Sequence, residues 1–214
     1  MKKPITQFST TLCLILLLNG CATSKFPNVS SKDSQTSEIV SNERLIARAP
    51  SDWQLIFELN NSGTRLSDYI PKDENKDDWQ TKLSFEAHEQ LASVDPISIM
   101  MGEISKMDEI CTNVDHANLF SGFENGYPTS VRLLLCGENA HSGKGEVSIT
   151  KGIQGKESFY IVRLEKKIEP FEKGKADFPQ NEIAEWSTYL KRITLCDETS
   201  DATHACPSAS SLPE

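Results

Sequence analysis

Apolar and polar residues alternate in several stretches of the chain, which is the pattern of strands that bury one face. Residues 53–59 alternate in this way, and the turn-forming residues 60–63 separate them from a second short strand. Further along, Asn125-Gly126 lies between two apolar runs and predicts a hairpin. The predicted strand segments are 53–59, 65–71, 79–86, 119–123, 131–137, 147–153 and 159–167. Because the last of these carries apolar residues on both faces, we expect it near the centre of a sheet.

Two other segments have the three- and four-residue spacing of amphipathic helices. The first begins at Asp95-Pro96, since Asp can cap free backbone N–H groups and Pro suits the first helical position. The second follows Pro179, with acidic residues near its start and basic residues near its end, as the helix dipole favours. Their apolar faces are Ile97, Met100, Ile104, Met107 and Cys111 in the first helix, and Ile183, Trp186, Leu190 and Ile193 in the second. These patterns predict an α+β fold with a twisted, mostly antiparallel sheet of about six strands and two principal helices.

Residues 1–20 are typical of a secretory signal. Lys2 and Lys3 precede an apolar run at 12–18, which is too short to cross a bilayer. The next four residues, 18–21 (LNGC), resemble the bacterial lipobox, in which the cysteine thiol receives a diacylglycerol and the peptide is cut before it. The resemblance implies a mature chain that begins at lipidated Cys21. The alternatives are a plain secretory peptide and an uncleaved anchor with an incidental cysteine.

The same resemblance implies where the mature chain is held. In Gram-negative lipoproteins, Asp after the lipidated cysteine tends to retain the protein at the inner membrane, whereas this chain has Ala22. We therefore expect a lipid anchor in the outer membrane, with the folded part on its periplasmic face. Acyl chains, rather than amino-acid side chains, would then hold the protein at the bilayer.

The rest of the chain divides by composition into three parts. Residues 21–48 are rich in Ser and contain few large apolar residues, which predicts a lipidated tether that buries too little surface to fold. Residues 49–196 carry the predicted strands and helices and form one globular domain. Residues 197–214 are rich in Ser, Ala and Pro, and we expect a loose tail there that a disulfide ties to the domain.

The charge of the chain excludes one class of function. The 22 Lys and Arg residues against 31 Asp and Glu residues give a net charge of −9, and loss of Lys2 and Lys3 makes it 20 − 31 = −11. A nucleic-acid-binding protein needs a basic surface, so we expect no nucleic-acid partner. A composition of 37% hydrophobic and 25% charged residues is that of an ordinary globular protein.

Four cysteines remain after Cys13 leaves with the signal and Cys21 is acylated. An even number in an exported domain predicts two disulfides, and four cysteines allow three pairings. We favour Cys111–Cys136 and Cys196–Cys206, while a Cys136–Cys196 bond stays open as an alternative. Gaps of 24, 59 and 9 residues between the four cysteines lack the close pair of a typical zinc site.

No motif with established catalytic, cofactor-binding or metal-binding chemistry is present, so no such residue is predicted. The neighbours His141-Ser142 fit a polar hairpin loop better than a catalytic pair, because catalytic partners are usually distant in sequence. The acidic residues of the first helix fit its wet side, and the tryptophans fit core anchors better than a ligand groove. These residues are Glu103, Asp108, Glu109, Trp53, Trp79 and Trp186.

Several segments resemble a group of exported proteobacterial lipoproteins of uncharacterised activity with four late cysteines. The resemblance covers roughly residues 50–206. It implies a cysteine framework, which agrees with the spacing, and it carries over no catalytic residue. A weaker resemblance, at the level of the fold, is to PsbP-like α/β/α sandwiches, which are mostly non-enzymatic accessory or binding subunits. The segments that carry the first resemblance are Trp79 with its following strand, 124–128 (ENGYP), 135–136 (LC), 145–167, 186–190 (WSTYL) and 196–197 (CD).

These observations lead to a functional hypothesis. We expect a non-catalytic envelope lipoprotein that acts as a binding or accessory module for an envelope protein partner. One alternative is a lipoprotein that binds a small ligand between sheet and helix. The other is a hydrolase whose residues come together only in three dimensions. A contiguous exposed apolar patch favours the first, a deep apolar cavity the second, and a pocket with a strongly perturbed ionisable group the third.

Overall fold

The computed structural model describes residues 42–199 and 204–207. The signal segment, Cys21 and most of the predicted tether lie outside these residues, as does most of the tail. Within them the chain forms nine strands, two α-helices and one 3-10 turn at Glu89–Leu91. In chain order the elements are β1 Glu43–Ile46, β2 Trp53–Asn61, β3 Thr64–Pro71, β4 Thr81–His88, α1 Pro96–Ile110, β5 Val114–Glu124, β6 Tyr127–Cys136, β7 Gly145–Gln154, β8 Phe159–Ile168, α2 Gln180–Arg192 and β9 Thr194–Asp197.

Seven of the strands form one antiparallel sheet in the order β2-β3-β4-β8-β7-β6-β5. This confirms the predicted α+β fold with its mostly antiparallel sheet and two helices, although the sheet has seven strands rather than about six. β8 lies in the middle, between β4 and β7, and Phe159, Tyr160, Ile161 and Val162 are all buried. A strand with helices on both sides buries both of its faces, which explains its unbroken apolar run.

Two hairpins turn on residues with positive φ. Ser62 (φ 31°) and Gly63 (φ 82°) connect β2 to β3, and Asn125 (φ 47°) and Gly126 (φ 79°) connect β5 to β6. Turns of this handedness match the twist of antiparallel strands and favour Asn-Gly, since Gly adopts positive φ without steric cost. The two tight turns place β3 and β6 beside the strands that precede them.

The helices pack on opposite faces of the sheet. Ile149 of β7 belongs to an apolar core with Trp186 and Leu190 of α2, whereas its neighbour Thr150 lines the same cavity as Met100 of α1. Successive strand residues point to opposite faces, so α1 and α2 cover different sides. The core on the α2 side consists of Leu83, Val131, Ile149, Val162, Leu164, Trp186, Leu190 and Ile193. The result is a sandwich of helix, sheet and helix.

The ends of α1 follow the signals in its sequence. Asp95 is the N-cap, and its side chain accepts a hydrogen bond from the Ser98 backbone N–H at 2.9 Å. Pro96 occupies the first helical position, where its missing N–H costs nothing. The helix ends at Ile110, and the next residue, Cys111, forms a disulfide with the end of β6. α1 is thus fixed at its start by a cap and at its end by a covalent bond.

A two-stranded sheet was not predicted. β1 pairs with β9 antiparallel, with Leu45 opposite Leu195. β1 falls inside the segment for which we expected a tether, so ordered structure starts earlier than the composition indicated. Both strands have four residues, and their partners are about 150 residues apart in the chain, which no local pattern reveals. Asp197 of β9 also bridges to Ala205, which brings the described part of the tail against the domain.

Candidate functional site

A row of polar side chains crosses the sheet on the α1 side. The strand register places Asp68, Ser84, Arg163, Thr150 and Arg132 directly opposite one another on five neighbouring strands. Residues opposite each other have side chains on the same face. Ser84 Oγ donates a hydrogen bond to Asp68 at 2.6 Å, and Arg163 Nε donates one to Thr150 Oγ1 at 3.2 Å. The α1 side of the sheet is therefore hydrogen-bonded and charged along this row, whereas Ile149 and Val162, next to two of these residues in their strands, face an apolar core on the α2 side.

Arg163 ties α1 to this polar row. Its guanidinium forms an ion pair with Glu103 of α1, and its Nη1 lies 3.7 Å from Glu86 Oε1 on β4. Burial by itself lowers the pKa of Arg163, but the carboxylates of Glu103 and Glu86 outweigh burial and raise that pKa above its ordinary value. Arg163 is thus a half-buried cation whose partners are already in place.

A cavity of about 420 Å³ lies between α1 and the sheet. Its apolar wall comes from Met100, Ile104 and Met107 of α1 and from Leu134 of β6. Pockets of this size and mixed character are typical of small-molecule sites. Charged and polar side chains, Arg163 among them, form the rest of the lining.

Arg132 is a partly buried cation of this cavity without an acidic partner among the described residues. Its Nε is buried and has no hydrogen-bond partner among the described residues. Its Nη1 contacts only a weak acceptor, Met101 Sδ, at 3.5 Å. Lys106 also lines the cavity, and none of the ion pairs between described residues includes it. Buried polar groups in proteins are normally paired, so the unused Arg132 donor marks a place where a partner is missing.

Two acidic residues of the cavity, Glu146 and Glu165, differ in what limits their negative charge: Glu146 accepts hydrogen bonds, and Glu165 has a raised pKa. Glu146 accepts hydrogen bonds from Asn139 Nδ2 and Ser142 Oγ, each at 3.0 Å. Burial raises the pKa of Glu165, while Lys82, whose Nζ lies 3.9 Å away, acts in the opposite direction. A raised pKa favours the neutral carboxyl group and reduces negative charge in the cavity.

A second candidate is the outer edge of the sheet at β5. β5 is the last strand of the sheet and pairs with β6 alone. Leu119, Phe120 and Phe123 are large apolar residues exposed on this strand, with 73% of Phe123 accessible. A β-bulge between Asn118 and Phe120 interrupts its register with β6. At the opposite edge, β2 exposes Leu55 and Phe57.

The structure joins Cys111 to Cys136 and Cys196 to Cys206, with Cα–Cα distances of 5.5 and 4.8 Å. These are the pairs that the spacing favoured, and Cys136 and Cys196 are not bonded to each other. Disulfides are typical of proteins that fold outside the cytoplasm, so the two bonds suggest an extracytoplasmic location. The predicted lipidation residue, Cys21, lies outside the described residues.

The other residues considered from sequence do not form one site. Ser142 Oγ donates a hydrogen bond to Glu146, and the hydrogen bonds of the described residues include none between Ser142 and the His141 ring. The Trp79 ring contacts the ammonium groups of Lys82 and Lys167, and Trp186 is in the core beside Phe178. Trp53 lines a separate groove on the α2 side of the sheet. The three tryptophans therefore share no ligand groove.

The expectation for the acidic residues of α1 was wrong for Glu103. We expected Glu103, Asp108 and Glu109 on the wet side of the helix, and Asp108 and Glu109 are exposed. Glu103 instead faces the sheet and pairs with Arg163. Sequence reasoning also missed Arg132, because a charged residue at an alternate strand position fits a solvent-facing side. The available signal was a Met-rich helix followed by strands whose polar positions carry both Arg and Glu.

Membrane-spanning helices and metal-binding clusters are both absent from residues 42–199 and 204–207. No helix there is long and apolar enough to cross a membrane. No group of three or more His, Cys, Asp or Glu side chains there is placed to hold a metal ion.

Comparison with known proteins identifies no family for the chain. No family model matches it, and no curated protein does. Among solved structures, LpqN, involved in cell envelope biogenesis of Mycobacterium tuberculosis, is similar with a TM-score of 0.43 and 10% identity, covering 74% of this chain and 87% of LpqN. The Ran-binding protein Mog1p of Saccharomyces cerevisiae has a TM-score of 0.35 and 8% identity, covering 70% of this chain and 84% of Mog1p. Neither likeness carries an argument about function.

Proposed function

We propose that the chain is a non-catalytic binding or accessory module of the cell envelope, which a protein partner contacts along β5. The observation that carries this proposal is the exposure of three large apolar side chains on an edge strand. The lipobox resemblance supports an anchor at Cys21 in the outer membrane, with the domain on the periplasmic face. The two disulfides agree with that compartment.

An exposed strand edge is a surface that other chains can pair with. β5 is 11 residues long and, among the strands of residues 42–199 and 204–207, has a neighbour on one side only, so its other side offers backbone N–H and C=O groups that no described strand pairs with. Soluble proteins usually protect such edges with charges, prolines or a covering loop. The β5 edge instead exposes three large apolar side chains, those of Leu119, Phe120 and Phe123. They add apolar surface to a strand edge whose backbone can pair with another chain.

The chemistry of this edge suits an extended peptide segment of a partner protein. Such a segment adds as another strand, with backbone hydrogen bonds for affinity and side-chain contacts for specificity. Aromatic residues are frequent anchors at protein interfaces, and Phe120 and Phe123 are placed to serve as such anchors. The mature chain has a calculated charge of −11, which favours a partner with a basic contact surface.

The anchor is tested by Cys21→Ala. We expect the substitution to abolish metabolic labelling with a fatty acid and to release the protein from the membrane fraction or leave it as precursor. Label that persists in the variant contradicts the lipobox interpretation. This test is independent of the binding surface, which lies more than 90 residues further along the chain.

The binding surface is tested with a photoreactive amino acid at Phe123 in intact cells, followed by identification of the captured protein. The matched control is the same amino acid at Phe57, an exposed aromatic position on the opposite edge. We expect a defined product at Phe123 only. With the captured partner purified, Phe123→Ser should weaken binding at least ten-fold and Phe57→Ser less than two-fold. Equal capture at both edges, or unchanged affinity in Phe123→Ser, contradicts the proposal.

A further inference from the structure

The cavity under α1 is lined by an arginine with a buried donor that no described residue uses. Three cations line the cavity, and one of them, Arg163, is already paired with Glu103 and Glu86. Arg132 has no ion-pair partner among the described residues, and its buried Nε has no hydrogen-bond partner there, whereas Lys106 at the same cavity is exposed. An acidic protein that leaves an arginine unpaired at the edge of a cavity has a site for an anion.

The shape of the guanidinium narrows the choice of anion. Its planar N–H donors match the two oxygens of a carboxylate or of a phosphate. Glu146 and Glu165 line the same cavity, and their oxygens would repel a doubly charged group more strongly than a singly charged one. A carboxylate, with one negative charge, therefore fits the cavity better than a phosphate dianion.

The other wall of the cavity indicates what the anionic group is attached to. Met100, Ile104, Met107 and Leu134 present aliphatic and thioether groups. Methionine side chains adapt to ligands of irregular shape, and burial of apolar surface against them is favourable. A cavity of about 420 Å³ has room for a small molecule with a short aliphatic body.

We infer that this cavity binds a small amphiphilic carboxylate, with the carboxylate on Arg132 and the aliphatic body against Met100, Ile104, Met107 and Leu134. This site is separate from the β5 edge, and the inference does not depend on the proposed protein partner. It adds a second, small-molecule function to the domain.

Octanoate serves as the test ligand for the full chain, measured by isothermal titration calorimetry. We expect saturable binding with a 1:1 stoichiometry. Octanol has the same body without the charge, and octyl phosphate and octylamine change the charge, so all three should bind at least ten-fold more weakly. Octanol that binds as tightly as octanoate, or a preference for octylamine or octyl phosphate, overturns the inference.

Arg132→Met tests the residue, with Arg65→Met as the matched control, since Arg65 is exposed on β3 and does not line the cavity. Arg132→Met should weaken octanoate binding at least ten-fold, and Arg65→Met should leave it unchanged. The melting temperature of unliganded Arg132→Met should be equal to or above that of the wild type, because the substitution removes no ion pair. A lowered melting temperature with unchanged octanoate affinity would make Arg132 a structural residue and overturn the inference.

Leu134→Trp provides a second route, because it fills the cavity and leaves the Arg132 guanidinium in place. We expect it to abolish octanoate binding as well. If Arg132→Met fails to fold, Leu134→Trp still tests whether octanoate binds in this cavity. Unchanged octanoate binding in a folded Leu134→Trp protein would place the ligand elsewhere and overturn the inference.

Discussion

The two faces of the central sheet are made by the same strands and are held by different forces. On the α2 side, Ile149 and Val162 lie in an apolar core, whereas their strand neighbours Thr150 and Arg163 lie on the α1 side in a hydrogen-bonded, charged layer. Both sides have a helix over them. The comparison teaches that a covered face is not always an apolar face, and that the polar covered face is where the cavity lies.

The helices differ in the same way. α2 packs an apolar stripe into the core, and the buried Lys151 Nζ donates hydrogen bonds to the carbonyl oxygens of Leu190 and Ile193, at 2.9 and 2.7 Å, at the end of the helix. α1 is attached by its Asp95 cap and by the disulfide of Cys111, besides the Glu103 ion pair. Apolar packing and the Lys151 hydrogen bonds therefore secure α2, while an ion pair and a covalent bond contribute much of what secures α1.

The largest contrast between the faces should appear in Ile149→Ala and Thr150→Ala. Ile149 is 0% exposed in the core, so its truncation should lower the free energy of unfolding by about 4 kcal/mol. Thr150→Ala removes one hydrogen bond from Arg163 Nε and should cost about 1 kcal/mol. Urea denaturation of both variants measures the difference. Equal losses would mean that the α1 side is packed as tightly as the α2 side.

Removal of the Cys111–Cys136 bond, by replacing both cysteines with Ala, should come next in size. Its sequence separation of 25 residues corresponds to about 3.5 kcal/mol of lost stability in the loop-entropy description. Hydrogen exchange should accelerate in α1 more than in α2, because α2 has the apolar core to hold it. The control is the Cys196–Cys206 pair, where the separation of 10 residues predicts a smaller loss, about 2.7 kcal/mol. Equal acceleration in both helices would contradict the comparison.

Much of the fold was predictable because its signals are local. Alternating strands, an Asn125-Gly126 turn and an Asp95-Pro96 helix start are each contained in a few neighbouring residues. β1 and β9 were missed because each has four residues and gains its stability from a distant partner. Local propensity says little about strands whose existence depends on tertiary pairing.

The candidate site was less predictable than the fold. Arg132 and Arg163 stand at alternate positions of their strands, and that pattern is the same for a face in water and for a face under a polar helix. Only the assembled sheet places Arg163 against Glu103 and leaves Arg132 without an ion pair. The chemistry of the site thus arises from cross-strand register, which the sequence does not display.

Alkaline pH should test the α2 side selectively, because the described tyrosines all lie there. Burial raises the pKa of Tyr160 to about 12, with a further contribution from Glu43, and burial also raises the pKa values of Tyr127 and Tyr189. Unfolded tyrosines ionise near pH 10, so the folded state binds more protons above that pH. This contribution to stability is therefore complete below pH 10 and falls as pH rises, by roughly 2 kcal/mol for Tyr160 by pH 12.

Tyr160→Phe checks this in denaturation experiments between pH 8 and pH 12. The Tyr160 hydroxyl is buried with no hydrogen-bond partner among the described residues, so the variant should be at least as stable at pH 8 and should lose less stability by pH 12. Burial lowers the pKa of Lys151, and this makes the stability of the folded state increase with pH. That increase is complete above pH 10.5, so it does not continue to pH 12. If Tyr160→Phe lost as much stability between pH 8 and pH 12 as the wild type, Tyr160 would not be the cause of the loss.

The smallest effect should come from the helix starts. Asp95→Ala removes the side-chain acceptor for the Ser98 N–H and should cost about 1 kcal/mol, with faster hydrogen exchange confined to the first turn of α1. α2 offers the comparison, because its N-cap, Pro179, makes no side-chain cap bond, and Pro179→Ala should change stability by about 0.5 kcal/mol or less. A helix that rests on a large apolar core needs no such cap, whereas α1 rests on a polar layer beside a cavity. A loss from Pro179→Ala as large as that from Asp95→Ala would show that the two helices depend equally on their first turns.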